Sequence, residues 1–150
     1  MKEIKGNILD YINRVDAVCV TTNSVIKRDG TAVMGAGVAK SFALKYPMLP
    51  KALADNIKTY GNVTNYLPTP VTQKAQILSL PTKAHWKNNS DIKLIEQSLK
   101  RLVEITDKEN YKYVLLVRPG CSNGGLNWET DVKPLCKKLL NDRFYIISYK

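Results

Sequence analysis

Two glycine-containing segments of the chain have the residue types that hold phosphate groups. The first, AVMGAGVAKSFALKYP (32–47), places a G-x-G pair directly before apolar residues at helical spacing. The second, PGCSNGGLNW (119–128), carries its glycines after a strongly hydrophobic run. Glycines let backbone amides approach an anion without an intervening Cβ, and a helix N-terminus adds favourable partial charge. Either segment alone fits an ordinary turn, but the pair favours a diphosphate ligand.

A dinucleotide-binding fold is a weaker interpretation of the first segment. That fold requires the glycines to follow a strand immediately, with an acidic residue about 20 positions further on. Asp55 has a suitable spacing from Gly35, but it lies inside a predicted helix. The preceding predicted strand ends near Thr22, well before the glycines.

Hydrophobic patterning predicts strands and helices that mostly alternate along the chain. Continuous or alternating apolar runs predict strands at 16–22, 62–67, 76–81, 113–117 and 144–149. Helical spacing predicts helices at 37–46, 50–60, 90–106 and 132–140. Alternation of this kind is typical of an α/β fold, with a largely parallel sheet covered by helices on both faces.

Three polar segments directly follow predicted strands. They are TTNS (21–24), PTKAHW (81–86) and the second glycine segment. Ligands of parallel sheets lie beyond the carboxyl ends of the strands. The three segments are therefore expected to converge on one edge of the sheet.

Length and composition set limits on the remaining possibilities. The 150 residues, 44% of them hydrophobic, suit a single domain over 1–150, and no apolar run predicts a membrane span or a signal peptide. We therefore expect a cytoplasmic protein, and a monomer. The formal net charge of +10 fits a nucleic-acid partner, a nucleotide ligand or simple solubility.

Cysteine and histidine content argues against a disulfide framework and against a structural zinc site. The three cysteines, Cys19, Cys121 and Cys136, are widely spaced and odd in number, which disfavours a disulfide framework. The chain has one histidine, His85, so the ligand set of a structural zinc is missing from the sequence. We predict neither a metal nor a cofactor.

Several segments, in order along the chain, resemble the macro domain family. The matching segments are KGNIL (5–9), DAVCVTTNS (16–24), VMGAGVAKSFALKYP (33–47), LPTKAHW (80–86) and PGCSNGGLNW (119–128). The last three are most similar to the branch of the terminal ADP-ribose glycohydrolases and the DNA ADP-ribosyl glycohydrolase antitoxins. The resemblance covers nearly the whole chain and implies a three-layer α/β/α fold with a mixed, mostly parallel central sheet.

The resemblance also implies a cleft for ADP-ribose. Its adenine would lie beside the first motif, its diphosphate between the two glycine segments and its distal ribose beside the asparagine after the first strand. The residues that this implies as ligand contacts are Asn7, Ile8, Thr22, Asn23, Gly35, Ala36, Gly37, Val38, Ala39, Thr82, Gly120, Cys121, Ser122, Asn123, Gly124 and Gly125. Asn7 and Asn127 stand where the family usually has aspartates, and Ser122 stands where it has glycine.

Catalysis, if the resemblance extends to it, would depend on Lys83 and Asn23. In the glycohydrolase branch the matching lysine acts at C1″ of the distal ribose, and a lysine amine can form a covalent adduct there. Gly124 occupies the position of an aspartate in the terminal ADP-ribose glycohydrolases, so an acid-assisted lysine is not supported. His85 is a weaker candidate for a general base.

Three functions remain open from the sequence. The first is a hydrolase that removes ADP-ribose from a macromolecule, with the positive charge favouring nucleic acid. The second is an ADP-ribose-1″-phosphate phosphatase. The third is a non-catalytic reader of ADP-ribose.

Overall fold

A six-stranded mixed sheet forms the centre of the computed structural model, which describes residues 1–149. The strands are β1 (Lys2–Lys5), β2 (Ala17–Thr22), β3 (Tyr66–Leu67), β4 (Gln76–Pro81), β5 (Val114–Val117) and β6 (Phe144–Ser148). Their order across the sheet is β1-β6-β5-β2-β4-β3. Every neighbouring pair is parallel except β3 with β4, which is antiparallel.

Four helices cover the sheet. They are α1 (Gly37–Lys45), α2 (Leu49–Tyr60), α3 (Ile92–Glu109) and α4 (Lys133–Leu139). The first two helices share one hydrophobic cluster with one face of the sheet, and the last two share a second cluster with the other face. This arrangement confirms the predicted three-layer α/β/α fold. No helix within residues 1–149 is long and apolar enough to cross a membrane.

Side-chain alternation on β2 explains why the central strands need helices on both faces. Val18 and Val20 lie in the cluster of α1 and α2, whereas Ala17 and Cys19 lie in the cluster of α3 and α4. Successive side chains of a strand point to opposite faces, and a strand buried on both faces reads as a continuous apolar run. That run, AVCV, is what made the strand recognisable from the sequence.

The structure corrects the sequence prediction at three places. Residues 62–65 are not a strand: the Asn65 amide donates to the Ser79 hydroxyl (3.0 Å) instead of to a backbone carbonyl, and the Thr64 side chain is turned to the Ser98 carbonyl of α3 (3.0 Å). The edge strand β1 was missed because its sequence, KEIK, is mostly polar and exposed. A short π-helical turn over Trp128–Val132 precedes α4, and Pro134 lies in the first turn of α4 as predicted.

A buried hydroxyl in the middle of α3 fixes the end of β4. Ser98 Oγ donates to the Pro81 carbonyl oxygen at 2.6 Å, and Ser98 is 2% exposed. Pro81 is the last residue of β4 and is itself buried. The hydrogen bond therefore holds the point from which the segment 82–86 leaves the sheet.

We expect Ser98→Ala to lower the free energy of unfolding by about 1–3 kcal/mol, because the buried Pro81 carbonyl would lose its donor. Urea denaturation measures this loss. The exposed Lys100→Ala on the same helix is the control, with an expected change within about 0.5 kcal/mol. Equal unfolding midpoints for the two variants would show that the hydrogen bond contributes little.

Candidate functional site

A cleft of about 1090 Å³ lies at the carboxyl edge of the parallel strands. Segments that follow β2, β4, β5 and β6 line it, together with the turn after β1 and the start of α1. The expected convergence of the polar segments is therefore confirmed. The volume slightly exceeds the range of about 300–1,000 Å³ that is usual for small-molecule sites.

The cleft brings together all but one of the residues expected to contact a ligand. Its lining includes Asn7, Ile8, Thr22, Asn23, Gly35, Ala36, Gly37, Val38, Ala39, Thr82, Lys83, Gly120, Cys121, Ser122, Asn123 and Gly124. Gly125 is not part of it. It packs instead against Asn89, whose Oδ1 a Cβ on Gly125 would meet at 2.8 Å.

The N-terminus of α1 opens into the cleft without a cap. The residue before the helix is Ala36, and no side chain within residues 1–149 accepts a hydrogen bond from the first amides. The helix α3, in contrast, is capped by Asp91, whose carboxylate accepts from the amide of Lys93 at 2.9 Å. The first amides of a helix lack intrahelical acceptors, and they favour an anion. The uncapped start of α1 thus has the chemistry of a phosphate site.

The second glycine segment folds back on itself so tightly at Gly124 that no side chain fits there. Gly124 accepts a hydrogen bond from the Ser90 amide (2.8 Å), and Leu126 donates its amide to Gly120 (3.0 Å). A Cβ on Gly124 would lie 2.5 Å from the carbonyl oxygen of Gly120 and 2.0 Å from Ser90 Oγ. Glycine at 124 is therefore a packing requirement of this loop.

The two glycine segments meet across the cleft, and Lys83 reaches the same point. A Cβ on Gly37 would lie 3.1 Å from the side-chain nitrogen of Asn123. The ammonium of Lys83 donates to the Asn123 carbonyl oxygen at 3.5 Å. Lys83 thus places a cation against Asn123, the residue whose side chain faces Gly37 at the start of α1.

Two asparagines of the cleft are also engaged by the backbone. Asn23 is 8% exposed, its Oδ1 accepts from the Val25 amide (2.9 Å), and its Nδ2 donates to the Val33 carbonyl (3.3 Å). Asn7 Oδ1 accepts from the Leu9 amide at 3.0 Å and caps a short 3₁₀ turn. Each oxygen retains one lone pair for a ligand, and the amide nitrogen retains one proton in Asn23 and two in Asn7. These side chains are therefore held in place before any ligand arrives.

The electrostatics of the cleft favour an anion. Among residues 1–149, no aspartate or glutamate lines it, whereas Lys83 and Arg118 do. Cys121 also lines the cleft, but burial raises the pKa of its thiol to about 11, against a smaller lowering by the charge of Arg118. The thiol is therefore protonated at neutral pH, which argues against a thiolate nucleophile.

Comparisons of the sequence and of the structure with known proteins find the same group of relatives. The chain is 30% identical over 139 residues to a DNA ADP-ribosyl glycohydrolase of Thermus aquaticus, covering 85% of this chain and 34% of that protein. The solved macrodomain of Mycobacterium tuberculosis DarG superposes with a TM-score of 0.80 at 27% identity, covering 97% of this chain and 95% of that one. Thermosipho africanus DarTG, solved in complex with ADP-ribose, superposes with a TM-score of 0.76 at 26% identity, over 97% of this chain and 41% of that one.

The chain belongs to the macro domain family. The resemblance of its glycine segments to the DNA ADP-ribosyl glycohydrolase branch is thereby confirmed. No family model matches the sequence. The chain spans about a third of the length of the curated relatives that it matches.

This macro domain has cleft residues that sequence reasoning missed. Arg118 and Tyr149 follow β5 and β6, so the rule about carboxyl strand ends would have found them. Ser90 lies in the cleft wall with its buried hydroxyl unpartnered among the described residues, and nothing in its sequence context indicated that role. Trp86 was part of the PTKAHW segment but was assigned no contact; it lines the cleft and is 48% exposed.

We expect Gly124→Ala to destabilise this macro domain by about 1–3 kcal/mol, because the new Cβ would overlap the Gly120 backbone. Chemical denaturation measures the loss. Gly35→Ala is the matched control, since nothing within residues 1–149 lies within 4 Å of a Cβ at that position. Removing the Ser90 side chain as well should not rescue Gly124→Ala, because the clash with the Gly120 carbonyl persists. Full rescue would contradict this account.

Proposed function

We propose that this macro domain binds ADP-ribose and is a hydrolase that removes ADP-ribose from modified DNA. The observation that carries the proposal is the position of Lys83, whose ammonium contacts Asn123 of the second glycine segment in a cleft lined by no carboxylate of residues 1–149. The relatives support it: they are named DNA ADP-ribosyl glycohydrolases, and one structural neighbour was solved with ADP-ribose.

The cleft accounts for each part of such a ligand. The uncapped amides of α1 and the segment 120–124 would hold the diphosphate from two sides. Asn7 and Ile8, at the β1 end of the cleft, would meet the adenine, with Asn7 offering an uncharged amide. Asn23, fixed by its two backbone hydrogen bonds, would orient the distal ribose.

The reaction would be hydrolysis at C1″ of the distal ribose. The bond from C1″ to the target base would break, and its electron pair would leave with the base, which would take a proton from the Lys83 ammonium. Lys83, now an amine, would bond to C1″ as the base departs. Water would then replace the amine: its oxygen and one hydrogen end on C1″, and its other proton restores the lysine ammonium. This route needs no aspartate at position 124.

Lys83→Ala should abolish release of ADP-ribose from ADP-ribosylated single-stranded DNA, because the group that acts at C1″ is removed. Affinity for free ADP-ribose, measured by calorimetry, should fall by less than about tenfold, because the diphosphate contacts come from backbone amides. Chromatography of free ADP-ribose follows the reaction. Lys138→Ala, an exposed lysine of α4, is the control for a general loss of positive charge.

Lys83→Arg separates the amine from the charge. It keeps a cation in the cleft but lacks a nucleophilic amine, so it should be as inactive as Lys83→Ala. Full activity of the arginine variant would refute the amine role and leave a purely electrostatic one. If wild type releases only phosphate from ADP-ribose-1″-phosphate, the protein is a phosphatase. If it turns over neither substrate but binds ADP-ribose, it is a reader.

Gly35→Glu should lower ADP-ribose affinity by at least about tenfold, because a carboxylate would enter the cleft beside the diphosphate site. A side chain at this position meets no neighbour within 4 Å among the described residues, so the fold should survive. Calorimetry gives the affinity, and Gly35→Ala serves as the uncharged control. Unchanged affinity in Gly35→Glu would show that the diphosphate binds elsewhere.

We further propose that the protein acts as a monomer in the cytoplasm. Both are expectations from the sequence alone. Sedimentation of the purified chain tests the first.

A further inference from the structure

The indole of Trp86 is presented at the wall of the cleft. Trp86 is 48% exposed, and it lines the same cleft as Lys83, three residues before it. Tryptophan is highly buried on average. The exposed part of Trp86 buries no apolar surface and so does not stabilise the fold. Its exposure next to the proposed reaction centre calls for a ligand.

The surrounding segment holds the indole in position. The Ala84 carbonyl accepts from both the amide (3.0 Å) and the hydroxyl (2.6 Å) of Ser24, which ties the segment to the end of β2. His85 Nδ1 accepts from the Lys87 amide at 3.1 Å, and the His85 ring stacks on Trp86 with centroids 5.5 Å apart and planes 26° apart. His85 therefore supports the indole; it does not line the cleft.

The charge beside the indole is positive. The Lys87 ammonium lies over the Trp86 ring, 5.2 Å from its centroid. This face of the ring is therefore accessible to a polar group from solvent. The segment 81–90 contains no acidic residue. The next residue, Asp91, is committed to capping α3. An exposed aromatic ring flanked by cations is the arrangement that binds an unpaired base and its phosphate.

We infer that Trp86 stacks on a base of single-stranded nucleic acid next to the modified nucleotide, while Lys87 contacts the adjoining phosphate. This inference rests on the proposed function, because it makes the strand around the modified nucleotide part of the substrate. Stacking needs a base that is free of its own helix, so the inference applies to a single-stranded stretch around the modified nucleotide. Lys87 leaves the ring for the phosphate when the base arrives.

Binding of an unmodified single-stranded oligonucleotide tests the stacking without any catalysis. The oligonucleotide should quench the intrinsic fluorescence of the wild type, and Trp86→Ala should weaken binding by about tenfold when the anisotropy of a labelled oligonucleotide is measured for every variant. Trp86→Phe keeps a ring and should keep most of the affinity. Tyr113→Ala is the matched control, since Tyr113 is also 48% exposed but precedes β5, at the opposite edge of the sheet from the cleft. Equal affinity of wild type and Trp86→Ala would overturn the inference.

Kinetics then separate this inference from the proposed function. An ADP-ribosylated oligonucleotide is compared with the same modified nucleotide trimmed of its neighbours. Trp86→Ala should lower kcat/KM about tenfold more for the oligonucleotide, and Tyr113→Ala should leave that ratio unchanged. An equal loss on both substrates would place Trp86 on the modified nucleotide itself and overturn the inference. If wild type releases ADP-ribose from neither substrate, the proposed function fails, and the binding measurement alone decides the stacking.

Discussion

Parallel pairing of five neighbouring strands is the constraint from which the cleft follows. Strands that run the same way end at the same edge, so the segments after β2, β4, β5 and β6 have to meet there. Parallel pairing also requires crossovers, and their helices bury both faces of the sheet. The same pairing thus builds the core and gathers the polar loops. Ser98 links the two, because it anchors in the core the strand end that carries Lys83.

Glu3, an acidic residue near the cleft, is held outside it by hydrogen bonds and ion pairs. Glu3, on the edge strand β1, accepts from the Lys133 ammonium (2.9 Å) and from the Trp128 indole (2.9 Å). The hydrogen bond from Lys133 holds the pKa of the Glu3 carboxyl below its ordinary value. Arg118 lies 3.7 Å from the same carboxylate and packs over Trp128. This network pins the end of the second glycine segment to the sheet and leaves the cleft itself to amides and cations.

The sequence predicted what short-range patterns encode and missed what distant contacts decide. The buried strands were readable as apolar runs, and the glycine segments identified the two sides of the cleft. Residues 62–65 have strand-like composition, yet the Asn65 amide bonds to the Ser79 hydroxyl and Thr64 bonds to α3. Neither partner is near in sequence. The glycine at 124 was visible as a departure from an aspartate, but its cause, the Gly120 carbonyl, appears only in three dimensions.

The two tryptophans of the chain show how structural and functional roles separate. Trp128 is 5% exposed, and its indole N–H donates to Glu3, so packing and hydrogen bonding account for it. Trp86 shares the cleft but has about half of its surface in solvent, and its ring contacts are His85 and Lys87. Those contacts orient the ring without burying it. An aromatic face that folding leaves uncovered, beside the Lys87 ammonium and in the same cleft as Lys83, is the surface that the inferred stacking on a neighbouring base would use.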